Sequence, residues 1–174
     1  MKGKIKFVPL LVILLMAGCI VSGNFVIVYK LDDAQLSTNK DFEVWEINKE
    51  NEPDWLDHAE DIKHIVDVGF AMRITNNNQT QKATGDLYIS KDGTLSSAAE
   101  VQQNAIPILQ GMEVAAGSVL NISWRQSYNY LSNFDKLKEY TIDGDFYAYA
   151  IGIGTALDVD LTKIAVIITV NAGK

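Results

Sequence analysis

The sequence predicts a mainly β protein, an antiparallel β-sandwich of about seven to nine strands with one short helix. Three observations lead there. Apolar side chains recur with a period of two through most of the chain. Turn formers such as Asn76-Asn77-Asn78 and Lys91-Asp92-Gly93 separate these runs at short intervals. Only one stretch carries a clear helical period, which argues against a parallel sheet with a helix after every strand.

Residues 25–31 and 42–47 are the first strand candidates. The clearest strand follows, where Val66, Val68, Phe70, Met72 and Ile74 alternate with Asp67, Gly69, Ala71, Arg73 and Thr75. The turn at residues 76–80 leads into a strand through Leu87 and Ile89. Residues 105–110 form another, and Leu120, Ile122 and Trp124 alternate with Asn121 and Ser123. The helix follows Ser132, with Asp135 three places on as in a capping box and Phe134, Leu137 and Tyr140 at spacings of three. It reads as two turns that cross between strands; a second helical segment is a candidate around residues 96–103. Residues 145–153 form the next strand. In the last one, Ile164, Val166, Ile168 and Val170 face one way. Their neighbours Ala165 and Ile167 are also apolar, the mark of a strand covered on both sides.

Composition narrows function by exclusion. In 174 residues, 22 acidic side chains outnumber 15 basic ones, for a net charge of −7. Phosphate-backbone binding rests on clustered Lys and Arg, so no nucleic acid is expected as a partner. One cysteine makes no internal disulfide, and two histidines make no zinc site without carboxylates. No GxSxG elbow, GxGxxG loop or P-loop occurs, so no catalytic residue and no cofactor are assigned.

Some constellations still warrant placing. His58, Asp61 and His64 are candidate metal ligands, because residues 57–64 as a helix would put His58 and Asp61 on one face. The alternative is a solvated loop running into the strand at Ile65. Asp143-Gly144-Asp145 and Asp158-Val159-Asp160 lack the register of a calcium loop and read as turn and strand-surface residues. Tyr128, Tyr130, Tyr140, Tyr147 and Tyr149 either line a groove or pack the sandwich.

The N-terminus carries the most specific pattern. Lys2, Lys4 and Lys6 precede the apolar residues 7–16, and Ala17-Gly18-Cys19 follows. The run Leu15-Met16-Ala17-Gly18-Cys19 resembles the lipobox of bacterial lipoproteins, with Met16 standing where Leu is usual. That resemblance implies a signal peptide at 1–18 and acylation of Cys19. The partner it implies is membrane lipid, reached through a tether at 19–24 that leads to a single β-sandwich domain at 25–174. Ile20 in place of Asp implies the outer membrane in a Gram-negative cell. Loss of three lysines and no acid would take the net charge to −10. A different reading of residues 7–29, which hold no charge, is a retained membrane-spanning helix.

Asn76 after a strand, Gly117-Ser118 before one and the Gly144–Tyr149 segment opening another resemble small immunoglobulin-like β-sandwich lipoproteins. More distantly they resemble the late-embryogenesis-abundant-like sandwich. This resemblance spans residues 61–173 and implies a fold without an activity. The expectation is a membrane-anchored, non-catalytic binding or assembly module with a protein partner in the cell envelope. The alternatives are a carrier of lipid or another hydrophobic ligand, and a metal-dependent hydrolase using the His58–His64 region.

Overall fold

The computed structural model describes residues 23–173. Nine strands occur there: β1 (Gly23–Lys30), β2 (Ala34–Ser37), β3 (Phe42–Ile47), β4 (Ile62–Asn76), β5 (Ala83–Ser90), β6 (Ile106–Val114), β7 (Val119–Ile122), β8 (Phe146–Ile153) and β9 (Asp158–Ala172). Four α-helices lie between them, α1 (Pro53–Leu56), α2 (Ala98–Asn104), α3 (Trp124–Ser127) and α4 (Phe134–Asp143), with one 3₁₀ turn at Lys49–Asn51. The expected strands are present, but short helix is more frequent than the single one expected.

The larger sheet runs β1-β9-β4-β7, with β2 also paired to β9, and the smaller runs β3-β8-β5-β6. All pairings are antiparallel, and they nest: β2 with β9, β3 with β8, β4 with β7, β5 with β6. One long hairpin, closed at β5–β6, has rolled up on itself. The result is a jelly roll. The expected antiparallel sandwich is therefore present, with the strand order of a rolled hairpin in place of the immunoglobulin order, where A-B-E-D faces C-F-G.

The core lies between the sheets. Ile27, Val68, Phe70, Ile108, Leu109, Val166 and Val170 are at most 1% exposed. Along β9, Ile164, Val166, Ile168 and Val170 point inward as their spacing requires. In β4 the alternation slips once. Val68, Phe70, Met72 and Ile74 are buried, but Val66 is 39% exposed and Ile65 takes the inward place. The cause is a bulge: Ile65 pairs with Val170 and Asp67 with Thr169, so Val66 has no partner.

A smaller apolar cluster of Tyr88, Val101, Tyr149 and Ile151 sits on the far side of the smaller sheet, beneath α2. Ser97 caps α2 by accepting from the Glu100 amide, while Glu100 accepts from the Ser96 amide and hydroxyl. The expected Ser132–Asp135 capping box is corrected. Ser132 donates its hydroxyl to the Pro107 carbonyl, and α4 starts from Asn133 in the left-handed region, φ 51°. α4 has ten residues and is longer than two turns.

Trp124 is corrected too. It continues the apolar phase of Leu120 and Ile122 but opens α3, because Gln126 Oε1 accepts from both the amide and the hydroxyl of Ser123. β7 consequently pairs only with Met72–Thr75. Beyond that point α3 and α4 cover the free edge of β4. The Phe70 amide donates to Ser127 Oγ at 3.3 Å, and Lys138 Nζ to the Val66 carbonyl at 3.4 Å.

Candidate functional site

The structure separates the two histidines. α1 ends at Leu56, residues 57–61 form a turn, and β4 begins at Ile62, so no helix spans 57–64. His58 packs its ring 4.6 Å from that of Phe25. Phe25 pairs with Val170 on the inward side of β1, so His58 covers that side. His64 pairs with Asn171, one step along from the buried Ile65–Val170 pair, and faces outward. Asp61 is held by its backbone, accepting from the Gly173 amide at 3.1 Å. Among the described residues, no group of three or more His, Cys, Asp or Glu is placed to hold a metal ion. The shared helical face expected for His58 and Asp61 does not form.

The acidic pairs are occupied by other bonds. Asn77 donates to Asp158 at 3.3 Å and to Asp160 at 3.0 Å, and the two carboxylates lie on one side of β9 as expected. Gly144 ends α4 at φ 130°, and Asp145 accepts from the Lys49 amide at 3.3 Å. The Lys49 ammonium donates to the Ile142 carbonyl at the end of α4 and lies 4.9 Å from the Trp55 ring. Burial lowers its pKa, against the opposing pull of Asp145. This is turn and capping chemistry.

The five tyrosines do not converge on one groove. Tyr149 is fully buried under the loop before α2 and donates its hydroxyl to the Asp92 carbonyl at 2.7 Å. Tyr147 packs against the same small cluster. Tyr140 and Tyr130 pack against the main core. Tyr128 stands apart, edge-on to Trp124 and Phe134. Burial, and then the neighbouring Asp67 carboxylate, pushes the Tyr128 phenol well above its usual range.

Between the sheets is an apolar cavity of about 40 Å³, lined among others by Leu36, Trp45, Met72, Ile74, Met112 and Leu161. Ligand pockets begin at roughly 300 Å³, so this space holds no acyl chain as it stands.

The outward face of the larger sheet is a different kind of surface. Its rows read Val26–Thr169–Asp67, then Val28–Ile167–Gly69, then Lys30–Ala165–Ala71. Val26 is 53% exposed and Val28 40%. Trp124 lies over Gly69, and its indole nitrogen is buried without a hydrogen-bond partner. The near-continuous apolar run of residues 25–31 hid this face from the sequence, because period two assigns sides only where polar residues alternate.

Cys19, the segment 1–18 and most of the tether at 19–24 lie outside the described residues, as does most of the span 7–29. Among the described residues no helix is long and apolar enough to cross a membrane.

No protein-family model matches the chain, and no curated protein matches it. Among solved structures, one of Desmodium yellow mottle tymovirus matches over 99% of this chain and 97% of its own, at 10% identity and a TM-score of 0.33. A mud crab tombus-like virus structure matches over 100% and 87%, at 12% identity and a TM-score of 0.40. The Drosophila NLP core matches over 87% and 98%, at 11% identity and a TM-score of 0.28.

Proposed function

We propose that the chain is a lipid-anchored, non-catalytic binding or assembly module on the non-cytoplasmic side of a membrane. One observation carries this reading: three lysines, an apolar run and Ala17-Gly18-Cys19 stand directly before a folded domain whose first strand begins at Gly23. The spacing leaves only four residues from Cys19 to β1. The acidic body would be repelled by anionic headgroups, so attachment falls to acyl chains. At about 0.8 kcal/mol per buried methylene, two or three chains hold a protein stably.

The test is the mass and fate of the Cys19→Ser variant in the native host. The expected outcome is an unprocessed precursor without acyl chains, beside a wild type cut before Cys19 and carrying them. A Cys19→Ser protein identical to wild type in processing and membrane retention would overturn the reading in favour of a retained helix. Capture of partners from membranes with the anchor intact then identifies what the module binds.

A further inference from the structure

We propose that the outward face of the larger sheet rests on a phospholipid bilayer, with Val26 and Val28 at the contact. The proposal deepens the anchored-module reading and rests on it.

Charge singles this face out. From the His64–Asn171 row to the Arg73–Thr162 row, Asp67 is the one acid at its outward strand positions, while Lys30 and Arg73 supply cations. Asp67 is already engaged, accepting from the Val68 amide at 2.9 Å, and it neighbours the Tyr128 phenol. Asp158 and Asp160 lie beyond Arg73, at the far end of the sheet. By contrast, residues 48–61, which cover the inward side of β1 through the Phe25–His58 and Tyr29–Asn48 contacts, carry six acids. A surface with exposed valines, flanking Trp124 and Tyr128 and two peripheral cations matches the apolar interior, interfacial zone and phosphates of a bilayer.

The chain places this face beside the anchor. Four residues from Cys19 to Gly23 span at most about 14 Å. Strand rise puts Val28 about 17 Å from Gly23. The valines are thus held within reach of the bilayer that receives the acyl chains. The covered edge of β4, where α3 supplies Trp124 and its C-cap supplies Tyr128, borders the same face.

The experiment uses the full-length, host-processed protein in vesicles of phosphatidylcholine and phosphatidylglycerol bearing a lipid-attached quencher. Fluorophores are attached at Val26→Cys or Thr169→Cys on this face, and at Gln103→Cys on α2 across the sandwich; acylation keeps Cys19 from reacting. Circular dichroism confirms folding, and all three positions lie outside the core. The expected result is quenching several-fold stronger at residues 26 and 169 than at 103, lost in a Thr169→Cys protein that also carries Val26→Asp and Val28→Asp. An intact mass without acyl chains overturns the anchor reading and this one with it. An acylated protein with equal quenching at all three positions overturns the docked face alone. Self-quenching between residue-26 labels without lipid quenching assigns the face to a second copy and overturns the proposal as well.

Discussion

Gly69 lies directly beneath Trp124: a Cβ at this glycine would stand 2.7 Å from the indole Cδ1 and 3.0 Å from the Ser127 hydroxyl. The contact is what lets α3 replace β7 along β4. Gly69→Ala gains some stability through the unfolded chain, about 0.4–1 kcal/mol, but overpacking costs about 1–3 kcal/mol. The expected outcome is net destabilisation in urea denaturation, partly reversed by adding Trp124→Leu. A Gly69→Ala protein as stable as wild type would mean that α3 is free to lift.

Asn76 is the second test. It is 1% exposed, and its amide donates to the carbonyls of Gln81, Val114 and Ala115 while accepting from the Asn78 amide. This one side chain joins the β4–β5 turn to the β6–β7 turn. Asn76→Leu strands those groups without partners and should cost about 3 kcal/mol. Hydrogen exchange should quicken in both turns together; quickening in one alone would break the proposed link.

Alkaline pH provides the third. Burial comes first among the causes that raise the phenols of Tyr88, Tyr128 and Tyr149 above the ordinary value. The unfolded chain therefore loses these protons first. Their stabilising contribution is complete below about pH 10 and falls as pH rises through that value. Thermal midpoints should drop above it, and Tyr128→Phe should make the drop shallower. A midpoint flat across that range contradicts the assignment.

Metal binding is the fourth. With His58 and His64 on opposite sides of the larger sheet, zinc meets no three converging ligands among the described residues. Excess zinc should leave the melting midpoint unchanged, and His58→Ala should cost less than about 1 kcal/mol. A zinc-dependent rise that His58→Ala abolishes would restore the metal reading.

Much of the sandwich was legible because β4 and β9 write their burial into alternating positions. Val68, Phe70, Met72 and Ile74 face the core as their spacing requires. Val66 does not, since its bulge is set by how residues count off against β9 and leaves no local mark. Trp124 shows the opposite case: Ser123 and Gln126 already spell a capping signal, and the apolar phase of the preceding strand masks it. Ser132 and Asp135 carry the same kind of spacing without forming the box, because Ser132 is drawn to Pro107 across the fold. Strand order was not legible, because nesting of pairs is decided at long range. For the candidate chemistry, proximity in sequence misled at His58 and His64, where a sheet runs between them.

The last strand of the fold, β9, is the hub of its larger sheet. It pairs with β1, β2 and β4, joining Gly23 to Ala172 and Ile65 to Val170. During synthesis, those three strands have no common partner until residues 158–172 have been made. The nascent chain thus cannot close its main sheet early, and it folds late through contacts of high sequence separation. Under the proposed lipid-anchored reading, a delay of this kind would keep the chain threadable during export.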